Sequence, residues 1–231
     1  MIPEPLANGF CFGEGPRWFE GLLWFSDMLG EAVHTSTMTG SLTTLPLPGR
    51  APSGLGFRPD GSLLIASTED QQVLRYDGET VVSIADLADL APANLGDMVI
   101  DDKGRAYIGS QAFSGGVIIR LDPDDSASVV AEDLDFPNGM VISPDGKTLI
   151  VAESIGRRLT AFTIDDDGAL GDRRVFADGL DGPPDGITLG GPERRTLFLL
   201  SSTDAYPQRL IGTMLSRLDA VTVTTPGAGL P

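Results

Sequence analysis

Short apolar runs recur along the chain and are separated by turn sequences that contain glycine. The run LLIA at residues 63–66 follows PDG at 59–61, and the run LIVA at 149–152 follows PDG at 144–146. An Asp-Gly pair between apolar runs is typical of a β-hairpin, because glycine accepts the positive φ that the turn requires. No long stretch has the 3.6-residue period of an amphipathic helix. The pattern predicts an all-β protein.

The same order of turns and strands repeats five times, at a spacing of roughly 40–47 residues. The units open at Glu14, Ser53, Gly96, Asn138 and Asp185. Four strands in a unit of this length are typical of a propeller blade, so we predict a five-bladed β-propeller that forms one domain over residues 1–231. The segment NGFCF at 8–12 precedes the first unit. We expect it to pair into the last blade and close the ring, which removes an exposed sheet edge.

Three of the five opening positions carry oxygen donors, namely Glu14, Asn138 and Asp185. In a propeller, equivalent positions begin the innermost strand of each blade and face one end of the central channel. Two carboxylates and an amide oxygen suit Ca²⁺, Mg²⁺ or Mn²⁺ and can also hold Zn²⁺. The register therefore predicts a site for one divalent cation. The alternative is that Asn138 and Asp185 only shape Pro-Asn-Gly and Pro-Asp-Gly turns.

A second set of polar residues lies near the ends of the second strands, where the side chains could line a pocket or belong to surface loops. The set consists of Asp27, Thr68, Gln111 and Glu153.

Charge and rare residues exclude several classes of protein. Lys and Arg number 16 against 33 Asp and Glu, a net charge of −17, which disfavours nucleic acid and anionic membrane surfaces as partners. Cys11 and His34 are the sole cysteine and histidine, so disulfides and zinc sites with several histidines are excluded within one chain. No apolar run approaches the ~20 residues of a membrane span, and the N-terminus has no signal core, so we expect a cytoplasmic protein. The sequence does not fix the oligomeric state.

In combination, these motifs resemble the SMP-30/gluconolactonase/luciferin-regenerating (SGL) family. The matching stretches are EGP at 14–16 with Trp18, DMV at 97–99 through GR at 104–105, FPNGM at 136–140 with PDG at 144–146, PDGI at 184–187, and GPERRTLF at 191–198. The resemblance implies a propeller with one divalent cation in its channel, ligands at Glu14, Asn138 and Asp185, and hydrolysis of sugar lactones or related esters with Asp185 also acting as the base.

Family members have six blades. Here residues 184–187 run directly into 188–193, so about one blade is missing, and Gly96 stands where the family has a substrate-binding Asn.

The leading hypothesis is therefore metal-assisted hydrolysis of a lactone, with Ca²⁺ as the expected ion and Zn²⁺, Mg²⁺ or Mn²⁺ as alternatives. The cation would act as a Lewis acid on the carbonyl, and Asp185 would activate water. The expected partner is a small-molecule substrate, contacted by Asn94, Asp97, Gln111 and Glu153. Two alternatives remain: a non-catalytic metal-binding propeller, and a metal-dependent lyase or isomerase that uses the same site.

Overall fold

The computed structural model describes residues 4–178, 188–190, 193, 195–201 and 216–222. Every regular element in these ranges is a β-strand, which confirms the all-β prediction. No helix in this part of the chain is long and apolar enough to cross a membrane.

The strands form four-stranded antiparallel sheets that follow one another along the chain, as the blades of a propeller do. Sheet I contains β2 (Gly13–Phe19), β3 (Leu22–Asp27), β4 (Ala32–Ser36) and β5 (Leu42–Pro46). Sheet II contains β6 (Pro52–Phe57), β7 (Leu63–Ser67), β8 (Gln72–Tyr76) and β9 (Val81–Asp86). Sheet III contains β10 (Leu95–Ile100), β11 (Ala106–Ser110), β12 (Gly116–Leu121) and β13 (Ala127–Leu134). Sheet IV contains β14 (Pro137–Ile142), β15 (Thr148–Glu153), β16 (Arg158–Ile164) and β17 (Leu170–Ala177). Sheet V contains β18 (Thr188–Gly190), β19 (Thr196–Ser201), β20 (Ser216–Thr222) and β1 (Glu4–Phe10).

Apolar side chains fill the spaces between consecutive sheets. Separate buried clusters join sheets I and II, sheets II and III, and sheets III and IV. Representative members are Val33 and Leu55, Leu64 and Met98, and Tyr107 and Met140. Burial of such side chains, at about 25 cal/mol per Å², is the main force that holds sheet against sheet.

Sheet V packs against sheet I through the N-terminal strand and an aromatic stack. β1 pairs antiparallel with β20, so the predicted pairing of the N-terminal segment with the last unit is observed. The rings of Trp18 and Phe198 stack with centroids 5.4 Å apart and an angle of 12° between their planes. Phe10, Phe25 and Leu218 complete this buried cluster. The two ends of the chain thus share one apolar core.

The innermost strands β2, β6, β10 and β14 contain a bulge at the same place, where two residues of the strand lie opposite one residue of its neighbour. The bulges lie between Glu14 and Arg17, Pro52 and Leu55, Leu95 and Met98, and Pro137 and Met140. Gly15, Ser53, Gly96 and Asn138 are therefore the equivalent positions, and Glu14 stands one residue earlier than the sequence repeat placed it. The sequence repeat matched Gly15 to Gly54, whereas the strand pairing makes Gly15 equivalent to Ser53.

Neighbouring innermost strands approach each other too closely for side chains at two bulge positions. A Cβ atom on Gly15, which has a φ of +52°, would lie 2.5 Å from the carbonyl oxygen of Ser53. A Cβ atom on Gly54 would lie 2.6 Å from the carbonyl oxygen of Gly96. Glycine is required where sheets I, II and III meet.

A buried ion pair links sheet I to sheet III. The Arg17 guanidinium donates to Asp97 Oδ1 at 2.7 Å and also to the Met98 carbonyl oxygen. Arg17 is 8% exposed and Asp97 4%. The side chain of Arg17 thereby ties together two sheets that are not consecutive in the chain.

Asp27 fixes the connection between β1 and β2. Its carboxylate accepts hydrogen bonds from the backbone amides of Cys11, Phe12 and Gly30 and lies 3.9 Å from His34 Nε2. Burial alone would raise the pKa of Asp27, but the hydrogen bonds from His34 and from these amides outweigh burial, so the pKa lies below its usual value. The charged form of Asp27 therefore stabilises the fold.

We predict that Asp27→Ala lowers the free energy of unfolding by about 2–3 kcal/mol at pH 7, because buried amides of Cys11 and Phe12 lose their acceptor. A carboxylate with a depressed pKa contributes stability above its unfolded pKa of about 3.9, and this contribution disappears as the pH falls through the lower folded pKa. The difference between parent and variant in urea denaturation should accordingly shrink below about pH 4. Asp89→Ala, at an exposed carboxylate, is the control. A loss that is independent of pH would contradict the role of the charge.

We also predict that Arg17→Met costs about 3–5 kcal/mol, because it leaves the Asp97 carboxylate buried without its cation. The double variant Arg17→Met/Asp97→Leu should recover most of that loss, since an apolar pair replaces an ion pair at little net cost. Chemical denaturation of the single and double variants measures both values. Losses that simply add in the double variant would show that the two side chains do not act as a pair.

Candidate active site

The candidate site lies where the innermost strands begin and the second strands end. Because these strands are antiparallel, Glu14 pairs with Ser26, Leu95 with Ser110 and Pro137 with Glu153. Glu14, Asn138, Gln111 and Glu153, which the sequence analysis selected at these two kinds of position, are thus at one end of the sheets.

A chain of hydrogen bonds joins sheets III and IV at this end. The backbone amide of Gln111 donates to the Asn94 carbonyl oxygen at 2.8 Å. The Gln111 side-chain amide donates to Asn138 Oδ1 at 3.2 Å, and Asn138 Nδ2 donates to Ser154 Oγ at 3.2 Å. The structure thereby brings together Asn94, Gln111 and Asn138, three of the residues selected from the sequence.

Gly96 makes room for the Gln111 side chain. A Cβ atom at position 96 would collide with the side-chain amide of Gln111. The amide of Gln111 therefore occupies the space that a side chain at position 96 would need, and it contacts Asn138 from there.

The side chain of Glu153 is buried in the protein and does not line an open site. The pairing makes it equivalent to Ser26 and Ser110, which are fully buried at the ends of their strands, and Glu153 is 0% exposed as well. Its carboxylate accepts hydrogen bonds from Arg158, from Thr160 and from the Asp135 amide. This placement leaves Glu153 no surface for a substrate, which corrects the sequence interpretation.

The environment of Glu153 keeps it charged. Burial would raise the pKa of this carboxyl, but the hydrogen bonds from Arg158, Thr160 and the Asp135 amide, with the charge of Arg158, hold the pKa below its usual value. Arg158 also contacts Asp135 at 3.0 Å. The group forms a closed ion-pair network inside sheet IV.

Asp97 is likewise turned inward. It is buried against Arg17, so its carboxylate forms the link between sheets I and III.

Among the second-strand residues, Asp27 caps the connection from β1 and Thr68 is buried. Of the expected substrate contacts, Asn94 is exposed and Gln111 is partly buried.

The expected metal ligands lie on two of the described strands. Glu14 is on β2 and Asn138 on β14, and both are partly buried. Asp185 lies outside the described residues. In the described part of the chain, no three His, Cys, Asp or Glu side chains are grouped so that they could hold a metal ion.

The donor chemistry of the two described side chains suits a hard cation. The Asn138 amide oxygen accepts a hydrogen bond from Gln111 and its nitrogen donates to Ser154, so both contacts orient the amide. Carboxylate and amide oxygens are the ligands that Ca²⁺ and Mg²⁺ prefer. Glu14 and Asn138 therefore fit a divalent cation chemically.

The sequence analysis missed Ser154 and Phe113, and it noted Phe136 only as part of the FPNGM stretch at 136–140. Ser154 follows Glu153 as Gln111 follows Ser110, so the paired positions at the ends of β11 and β15 could have revealed it. Phe113 is 73% exposed, and its ring centroid lies 5.5 Å from that of Phe136. Neither phenylalanine departs from an ordinary strand-and-turn pattern in the sequence.

Comparison with known proteins gives relatives that are lactonases by name. The chain is 30% identical over 200 residues to 6-deoxy-6-sulfogluconolactonase of Pseudomonas putida, a match that covers 82% of this chain and 67% of that protein. It is 28% identical over 184 residues to pentonolactonase XacC of Haloferax volcanii, covering 77% of this chain and 62% of the relative. The chain thus spans about two thirds or less of the length of these relatives.

A solved structure supports the architecture. The calcium-binding protein regucalcin from Agrobacterium tumefaciens superimposes with a TM-score of 0.79 at 20% identity, covering 99% of this chain and 97% of that chain. This likeness shows that the fold is a β-propeller. The family model described as the SMP-30/gluconolactonase/LRE-like region matches residues 12–194. The chain therefore belongs to the SMP-30/gluconolactonase/LRE-like family.

Proposed function

We propose that the chain is a lactone hydrolase that works with one divalent cation, with Ca²⁺ as the expected ion. The observation that carries the proposal is the Gln111–Asn138–Ser154 network, which orients an amide oxygen at the end of the sheets where Glu14 also lies. The lactonase names of the relatives support the reaction class.

We propose further that the five sheets are the blades of one closed ring, formed by residues 1–231 as a single domain. Support comes from the apolar cluster shared by sheets V and I, from the pairing of β1 with β20, and from contacts of β2 with β18, β19 and β20.

In this proposal Glu14, Asn138 and Asp185 hold the cation. When bound, the cation would polarise the lactone carbonyl and stabilise negative charge on its oxygen. Gln111 keeps the Asn138 oxygen in place, and Asn94 and Gln111 contact the substrate. Asp185 accepts a proton from the attacking water, the water oxygen bonds to the carbonyl carbon, the ring C–O bond breaks, and the proton passes to the released ring oxygen. The product is a hydroxy acid.

We predict that chelation abolishes hydrolysis of a panel of sugar and simple lactones, and that one of Ca²⁺, Mg²⁺, Mn²⁺ or Zn²⁺ restores it. Glu14→Gln and Asn138→Ala should each lower kcat/KM by about a hundredfold or more, because each removes a ligand of the cation that stabilises the developing charge. Asp145→Asn, in the exposed turn after β14, is the control and should keep the parent rate.

Product analysis and metal binding separate the alternatives. Parent-level hydrolysis by the chelated protein or by Glu14→Gln would overturn the metal-dependent mechanism. Cation binding by calorimetry without cleavage of any lactone would indicate a scaffold, and a product other than the hydroxy acid would indicate a lyase or isomerase.

A further inference from the structure

An aromatic pair borders the polar network at the candidate site. Phe113 lies two residues after Gln111, and Phe136 lies two residues before Asn138. The two phenylalanine rings are tilted by 52° with their centroids 5.5 Å apart. The two rings therefore belong to the same two segments that form the hydrogen bond between Gln111 and Asn138.

The backbone holds this pair in place at a conformational cost. Phe136 has a φ of +62°, in the left-handed region that a bulky residue rarely adopts. Its amide donates to the Ala112 carbonyl oxygen at 2.9 Å, and its carbonyl oxygen accepts from the Ser154 amide at 3.1 Å. The strain is thus maintained by contacts to both segments that build the network, as is common at binding sites.

Phe113 remains in contact with solvent although it has an aromatic neighbour. With 73% of its surface exposed, it is more exposed than the other large apolar side chains in the described residues. Val175 and Phe176 are 59% and 58% exposed, but they lie on β17, the outermost strand of sheet IV. An exposed ring beside a polar site has apolar surface that a bound ligand can cover.

We propose that Phe113, supported by Phe136, forms an apolar wall that binds the substituent of the substrate, so that lactones with an alkyl or aryl group are preferred over bare or polyhydroxylated ones. This inference rests on the proposed lactone hydrolysis and specifies its substrate class. The acyl group would lie against Gln111 and Asn138, and the substituent would cover the exposed ring of Phe113. Each methylene group that is fully buried against such a wall strengthens binding by about fourfold.

The test compares lactones of one ring size with a hydrogen, a short alkyl chain and a longer alkyl chain as the substituent, together with glucono-δ-lactone. For the parent we expect kcat/KM to rise with chain length, mainly through a lower KM. Phe113→Ala should remove about a tenfold advantage of the longest chain while the unsubstituted lactone is cleaved at the parent rate. Phe113→Tyr should retain most of the advantage, and Phe176→Ala, on the outermost strand, should behave as the parent.

Binding of the matching alkyl lactams, measured by calorimetry, makes the test independent of turnover. The inference is overturned if the parent shows no dependence on chain length, if Phe113→Ala keeps the dependence, or if Phe176→Ala loses it equally. If the parent cleaves no lactone at all, the proposed function fails, and lactam affinity alone decides whether Phe113 binds an apolar substituent.

Discussion

The close approach of neighbouring innermost strands is the constraint on which the rest of the structure depends. Gly15 lies against the backbone of Ser53, and Gly54 lies against the backbone of Gly96. Both approaches are too close to leave room for a Cβ atom on the glycine. The four innermost strands β2, β6, β10 and β14 bulge at the same place. A bulge changes the direction in which successive side chains point. It thereby brings polar groups of different sheets to one end of the structure.

Polar residues near this end fall into two groups with different roles. Asp97 and Glu153 are buried and charged: Asp97 pairs with Arg17 and links sheets I and III, and Glu153 pairs with Arg158 within sheet IV. The polar groups that contact one another across sheets III and IV are instead amides and a hydroxyl, which are neutral. In a chain with a net charge of −17, this keeps like charges apart where the proposed cation and a carbonyl substrate would bind.

Much of the fold follows from local sequence signals, and part of the site does not. The Asp-Gly turns and apolar runs predict the hairpins because both signals act within a few residues, and the spacing of the units predicts the sheets. The role of Glu153 was missed because its burial depends on Arg158 and Thr160, which close around it only after sheet IV has formed. The offset of Glu14 was missed because the glycine after it suggested a match to Gly54, whereas the strand pairing matches Gly15 to Ser53. Ser154 and Phe113 were missed because their positions depend on contacts across a sheet or between loops. The periodicity of the sequence carries no information on such contacts.

Two short segments, 111–113 and 136–138, contain the polar network and the aromatic pair together. One follows the second strand of sheet III, and the other begins the innermost strand of sheet IV. Phe113 lies in the loop after β11, whereas Asn138 lies within the bulge of β14. If Phe113 forms the proposed apolar wall, a change at this loop position would alter the preference for a substituent and leave the bulge that holds Asn138 in place.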